Sequence, residues 1–322
     1  MEIKKSTKFS RFFVIGNMFF FEVSLGIVTN TVLLLFHVLT FFLQYRHKPI
    51  DQTIGHLALI HLVMLLTVGF MFIDISGFED FWNDATCKCV LYLYRVMRGL
   101  SISTTCLLSV LQAITLNPGN SCLAKFRQKP LHQNLCCFLF LWVFNMIASG
   151  RFLISTIATP NVSSQSLIFV TESCSLRPIS YLVKYIYFSL VTFRDVSFIG
   201  LMMFSNGYML ILLCRHKKRS QHLRSTSLSP KASPEQRATQ TILVLMSFFM
   251  IIYFSDGVIA STSGILWKND PIRYCVQMLL SNGYATFSPL VLISTKKQMI
   301  KGLVSMWGRS VNVRLFTDEY LP

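Results

Sequence analysis

Charge is what this chain of 322 residues has least of. Asp, Glu, Lys and Arg make up 14% of it, against about 25% in an average soluble domain, too little to clothe a water-facing surface. Acidic residues are the scarcer half, 14 against 30 basic ones. Catalytic signatures are missing too: there is no Gly-rich phosphate loop, no Gly-x-Ser-x-Gly elbow and no His-Glu-x-x-His. An enzyme is therefore not expected. The seven His are scattered without metal-ligand spacing, so no metal or other cofactor is expected. No internal repeat is visible. The nine Cys are an odd number, and most lie within apolar runs where a thiol acts as a small hydrophobe, which excludes a dense disulfide framework. The first apolar run, from about Phe12 to Phe42, is too long for a signal-peptide core and has no small-residue cleavage site; it is expected to stay as a spanning helix.

What the chain has instead is apolar length. Hydrophobic residues make up 52%, with 28 Phe. Seven runs are long enough to cross a hydrocarbon layer of about 30 Å: 14–42, 52–74, 87–116, 133–157, 186–214, 238–264 and 274–294. The expected fold class is an all-α membrane protein, a single seven-transmembrane-helix bundle over residues 1–322. With the N-terminus outside, the inner loops and tail carry 17 Lys and Arg and the outer segments 8, so the positive-inside bias favours that orientation. Locally Lys4, Lys5, Lys8 and Arg11 pull the other way, and the global count outweighs them. Residues 1–13 then form an extracellular N-terminus, 215–237 the third cytoplasmic loop and 295–322 a cytoplasmic tail. The net charge of +16 is explained by this topology, and no nucleic-acid partner is expected. The only Asn-x-Ser/Thr acceptor, Asn161-Val-Ser163, falls on the outer side, a glycosylation site consistent with the topology.

The third run carries a pattern the others lack. From Cys87 to Asn117-Pro118 it makes a helix of roughly 45 Å. Tyr94, Arg98, Ser101, Thr105, Leu108, Gln112 and Thr115 recur at three and four, a single stripe that is polar except for Leu108. Leu93, Leu100, Leu107, Val110 and Ile114 lie opposite. Such a helix belongs inside a bundle, its stripe turned to other helices or a cavity. Arg98 lies eleven residues past Cys87, roughly 16 Å along the helix. Arg does not readily lose its proton, so at that depth it needs an anion or a wet cavity. Asp256, Asp195 and Glu22 are the candidate carboxylates at similar depth. Arg95, Arg151 and Arg194 share that half, so the basic groups outnumber the acids. Arg194 and Asp195 point about 100° apart on a helix, an expectation of separate partners. Asn30, an amide inside the first run, must also find one.

The segment Arg98-Gly-Leu-Ser-Ile-Ser-Thr-Thr-Cys-Leu-Leu-Ser-Val-Leu-Gln-Ala-Ile-Thr115 resembles the third-helix signature of the vomeronasal type-1 receptors. These are pheromone-sensing G-protein-coupled receptors. The basic, hydroxyl-rich connector from Leu213 to Leu243, with its Ser229-Pro and Ser233-Pro sites, resembles that family nearly residue for residue. The likeness covers nearly all of the chain after residue 50. It implies a plasma-membrane receptor with a small-molecule, pheromone-type ligand and a heterotrimeric G protein of the Gi/Go class, in contact with membrane lipids. It also implies a disulfide from the start of the third helix to the second outer loop. Cys174 is the loop member; Cys89 rivals Cys87, and Cys87 is preferred because the family pattern sets its Cys just before a Lys, here Lys88.

The sequence departs from the wider superfamily in three places, in the first of which it resembles this family. Leu111-Gln112-Ala113 stands where an Asp-Arg-Tyr triplet is usual, Ser288-Pro289-x-x-Leu292 replaces Asn-Pro-x-x-Tyr, and the sixth span has no helix-bending Pro. The expected ligand wall is Tyr94, Arg98, Ser101, Asp195 and Asp256, with Arg98 and Tyr94 touching ligand and Asp256 holding Arg98. The expected coupling residues are Gln112, Lys125, Arg127, Arg215, Lys217, Lys218 and Arg219. A type-2 (bitter) taste-like receptor is the nearest alternative. A transporter is the alternative outside the fold, because intramembrane charge also marks transport paths.

Overall fold

The computed structural model describes residues 2–43, 49–75, 82–116, 131–158, 168–169, 173–177, 180–222, 243–244, 247–256 and 271–295. Its helices are α1 (Glu2–Leu43), α2 (Pro49–Ile75), α3 (Asp84–Leu116), α4 (Leu131–Ser149), the short α5 (Arg151–Ser155), α6 (Tyr181–His222), α7 (Ser247–Asp256) and α8 (Pro271–Thr295). Among the described residues six helices are long and apolar enough to cross a bilayer. The expected sixth span, 238–264, is represented by α7 and by the helical Leu243 and Val244, and the rest of it lies outside the described residues. Two helices outrun the apolar runs that mark them. α1 begins at Glu2 rather than residue 14, and α6 continues to His222 through the first residues of the expected third loop. The apolar pattern reports where hydrocarbon begins, and a helix continues beyond it wherever the chain has no breaker.

α3 is the axis. Two thirds of its apolar window (67%) is buried inside the bundle, against 22% for α4 and for α6; it packs on α2, α4, α5 and α6. Its polar stripe faces inward as expected down to Gln112: Tyr94, Ser101, Thr105, Leu108 and Gln112 are buried and Arg98 is half-buried, while Thr115, in the last turn, is exposed. Leu100, from the opposite side, is buried as well, because α3 is covered around most of its circumference. Asn83 caps this helix: its Oδ1 accepts from the Thr86 backbone N–H at 2.8 Å and the Thr86 hydroxyl at 3.0 Å, satisfying an otherwise orphaned donor of the first turn. Many large apolar side chains of α1, α4 and α6, among them Phe20, Phe21, Phe140, Ile147, Phe193 and Phe204, are exposed. In a bilayer that is the face for lipid. The interior has two apolar clusters. One surrounds Trp82, Leu91, Met97 and Leu100 near Cys87, and the other surrounds Ile54, Leu57, Leu108 and Met202 toward the opposite end.

α1 is held to α8 by a gap in the backbone ladder. Pro289 lies inside α8 and has no N–H, so the carbonyl four residues earlier, Ala285, lacks its helical donor. The Asn30 amide donates to that carbonyl at 2.9 Å and to its own Gly26 carbonyl at 2.8 Å. Close approach there requires Gly26. A Cβ at that position would lie 2.6 Å from Leu65 Cδ1 on α2 and 2.7 Å from Thr286 Oγ1 on α8.

Three short strands lie between α5 and α6: β1 (Thr156–Ala158), β2 (Ile168–Phe169) and β3 (Cys174–Leu176). β3 is central and antiparallel to both neighbours, pairing Ala158 with Cys174 and Phe169 with Ser175. The expected fourth span, 133–157, ran through this region; the helix gives way to extended backbone at Thr156. A disulfide joins Cys87 at the start of α3 to Cys174, with Cα atoms 5.7 Å apart, so the central strand is the one tethered. Cys89, Cys106, Cys136, Cys137 and Cys214 are free of disulfides. Asp84 adds a polar tie, its Oδ1 accepting from the Ala158 N–H at 2.7 Å.

Candidate functional site

Four helices bring their charged and hydroxylated side chains together beneath the disulfide. On α3, Tyr94, Arg98 and Ser101 follow one another at four and three residues, the spacing that stacks side chains on one face. On α7, Tyr253 and Asp256 are three apart and share a face likewise. Arg98 forms an ion pair with Asp256. Its guanidinium carbon lies 5.9 Å from the centre of the Tyr253 ring, within the range of a cation–π contact. The Tyr253 hydroxyl donates to Asp195 Oδ2 on α6 at 2.6 Å. The other oxygen, Asp195 Oδ1, accepts from Arg194 Nε at 2.8 Å. Arg194 also donates to Asn145 Oδ1 on α4 at 3.3 Å, and Asn145 donates to Ser103 on α3 at 3.2 Å.

The expectation of separate partners for Arg194 and Asp195 is corrected by this geometry. The two Cβ vectors diverge, but the Arg side chain is long enough to fold back along the helix and meet its neighbour. Each also reaches a further helix, α4 for Arg194 and α7 for Asp195. Gly99 makes the junction possible, because a Cβ there would run into the Asn145 side chain and lie 3.0 Å from Arg194 Nη1.

Arg98, Ser101, Tyr253, Asp256 and Ser281 line one cavity between α2, α3, α7 and α8, with apolar walls of Met64, Ile102, Phe249 and Ile252. Its empty volume, mouth included, is about 370 Å³, and its enclosed part has room for little more than a water molecule. Tyr94 adjoins the cavity through Ser281, their hydroxyls 3.2 Å apart. Asp195 adjoins it through Tyr253. Beneath, His61 on α2 is 1% exposed; its Nε2 lies 2.9 Å from the Ser101 hydroxyl and its Nδ1 3.4 Å from that of Ser288 on α8. Two atoms of its lining residues are left over, the Tyr284 hydroxyl and one oxygen of Asp256. Asp256 is 4% exposed, and its Oδ1 is buried without a hydrogen-bond partner.

The site residues read from the sequence fall into three groups. Tyr94, Arg98, Ser101, Asp195 and Asp256 converge on the cavity or on its wall. Gln112 is buried at the far end of α3, its amide O and N both without a hydrogen-bond partner. Arg215 is exposed on α6, and Lys217, Lys218 and Arg219 follow on the same helix. Lys125, Arg127 and Asn161 lie outside the described residues. Tyr253, Asn145, Ser281 and His61 escaped the sequence reading. Tyr253 was recoverable, as a phenol one helical turn before Asp256; the others look from the sequence like tolerated polar residues in apolar runs.

The family model described as "Vomeronasal organ pheromone receptor family" matches residues 13–305. Vomeronasal type-1 receptor 90 of Rattus norvegicus is 51% identical over 295 residues, covering 92% of this chain and 95% of the relative. Vomeronasal type-1 receptor 94, also from Rattus norvegicus, is 47% identical over 309 residues, 95% of this chain and 94% of the relative. Vomeronasal type-1 receptor 51 of Mus musculus is 48% identical over 290 residues, 90% and 91% of the two chains.

Proposed function

The chain belongs to the vomeronasal organ pheromone receptor family, and on that premise we propose that it is a chemosensory receptor of the plasma membrane that signals through a Gi/Go-class G protein. It binds a small molecule in the outer half of its bundle, with the N-terminus outside the cell. The observation that carries this reading is the Arg98–Asp256 pair on the wall of a cavity between four helices. Charge is expensive in a bilayer and is held where it lines a functional cavity. Arg98 and Tyr94 contact the ligand, Ser101 and Asp195 complete the wall, and Asp256 keeps Arg98 in place. At the other face Gln112, Lys125, Arg127, Arg215, Lys217, Lys218 and Arg219 meet the G protein, within a third cytoplasmic loop of 215–237 and beside a tail of 295–322. Asn161 carries the glycan on the outer side.

The test is a ligand screen in cells co-expressing a Gi/Go-class protein, read as nucleotide exchange. The expected result is ligand-dependent exchange. Replacing Arg215, Lys217, Lys218 and Arg219 with Gln is expected to lower it and leave ligand affinity measured without G protein nearly intact. Unchanged exchange in that variant would assign the cluster to lipid head groups. Solute flux across proteoliposomes without exchange would point to a transporter.

A further inference from the structure

The three carboxylates near the cavity differ in what they still lack. Asp195 has both oxygens engaged, one by Arg194 and one by Tyr253. Glu22 has a buried Oε1 without a hydrogen-bond partner but does not line the cavity. Asp256 lines it, gives Oδ2 to Arg98, and leaves Oδ1 buried and unpartnered. A buried carboxylate oxygen without a donor is a cost the fold tolerates only where something supplies the donor. Arg98, on the same wall, gives Asp256 its only hydrogen bond to a described residue, and a guanidinium has five N–H donors. The cavity thus presents an acceptor that lacks a donor beside a donor with capacity to spare.

Charge narrows what fits between them. The pair is neutral as a whole, in a pocket whose other walls are uncharged: apolar Met64, Ile102, Phe249 and Ile252, and the hydroxyl-bearing Ser101, Tyr253, Ser281 and Tyr284. An anion arriving at Arg98 meets the Asp256 carboxylate, and a cation arriving at Asp256 meets the guanidinium. A hydroxyl meets neither objection. Its O–H donates to Asp256 Oδ1 while its lone pairs accept from Arg98. Water is the smallest such occupant, and the enclosed space holds about one.

We propose that this cavity is a hydroxyl subsite, selecting ligands that present a neutral alcohol on an apolar skeleton over their carboxylate, ammonium and ether counterparts. This rests on the receptor reading for its biological meaning, but the binding chemistry stands on the cavity alone. The ether separates donor from acceptor, because it accepts from Arg98 and leaves Asp256 Oδ1 as it was.

The experiment uses the full chain purified in detergent, with thermal unfolding followed against increasing cyclohexanol, methoxycyclohexane, cyclohexanecarboxylate and cyclohexylammonium. Cyclohexanol is expected to bind at least about tenfold tighter than methoxycyclohexane, the worth of a hydrogen bond to a charged group, and tighter than either ion. Asp256→Asn is expected to turn the preference toward the carboxylate by leaving Arg98 unneutralised. Ile252→Phe fills the space without touching the ion pair and is expected to abolish cyclohexanol binding; it serves also if Asp256→Asn folds poorly. Equal binding of alcohol and ether, tighter binding of either ion to the unmodified chain, or no shift with any of the four overturns the proposal. Nucleotide exchange plays no part in this readout. A chain that binds cyclohexanol but never drives exchange keeps the subsite and loses the receptor reading, and one that drives exchange but prefers the carboxylate does the reverse.

Discussion

Arg98 and Asp256 lie 158 residues apart in sequence, and each needs the other. The Arg98 side chain is 23% exposed and that of Asp256 5%, so removing either charge strands its partner in a place where water reaches poorly. Breaking a buried pair from one side costs about 3 kcal/mol, the lower end for a pair with one partly wet member. Arg98→Gln and Asp256→Asn are each expected to lower the unfolding temperature and surface delivery, and the double variant to recover much of both. Surface labelling with thermal unfolding checks this. A double variant as poor as the sum of the singles would mean the two residues act apart. Ligand response separates the two roles of Arg98. Normalised for surface level, Arg98→Gln is expected to weaken acceptor-bearing ligands more than neutral hydrocarbons. Equal loss for every ligand would leave Arg98 with the ion pair alone.

Among the elements, α8 depends on a neighbour to complete its own backbone. The Asn30 amide fills the gap that Pro289 opens at the Ala285 carbonyl. Asn30→Ala is expected to cost about 1–3 kcal/mol by orphaning that carbonyl. In a Pro289→Ala background the helix regains its own N–H donor, so the same substitution is expected to cost markedly less. A double-mutant cycle on unfolding temperature measures the difference, and strict additivity would sink the account. This tie shows what a sequence exposes and what it hides. Asn30 and Pro289 each stood out as a rule broken inside an apolar run, and so did Arg98, Asp195 and Asp256. The stripe on α3 was legible because helical period alone puts its residues on one face. Which broken rule answers which was hidden, since partners across helices are set by rotation and depth rather than by spacing. The Arg194–Asp195 contact was misread for the same reason: side-chain reach is not written in the helical wheel. The strands β1 and β3 were missed because three residues are too few for a period of two to register.

For the molecule as a whole, the disulfide is a covalent cross-link from the loop sheet to α3. It holds the middle strand at the top of α3, where the Asp84 carboxylate also ties the edge strand β1 directly. Cys174→Ser is expected to cost about 2–5 kcal/mol or to block delivery to the surface, and Cys87→Ser to match it. Thiol labelling of the unreduced protein should spare Cys87 and Cys174. Unchanged surface level and ligand response in Cys174→Ser would show that the sheet needs no tether.

The wide separation of Arg98 and Asp256 also sets a clock. Ribosomes add about 5–20 residues each second, so α3 emerges roughly 8–30 s before the carboxylate that answers its guanidinium exists. Through that interval a nascent chain holds an unanswered cation that hydrocarbon rejects. It must wait in a wet place or in the care of another protein. A chain stopped after Val244 never reaches Asp256 and is frozen at that stage. It is expected to be degraded sooner than the same fragment carrying Arg98→Leu, as pulse-chase labelling would reveal. Equal half-lives would mean that synthesis does not feel the delay. The pair that shapes the finished pocket is, for a newborn chain, the hazard it must outlast.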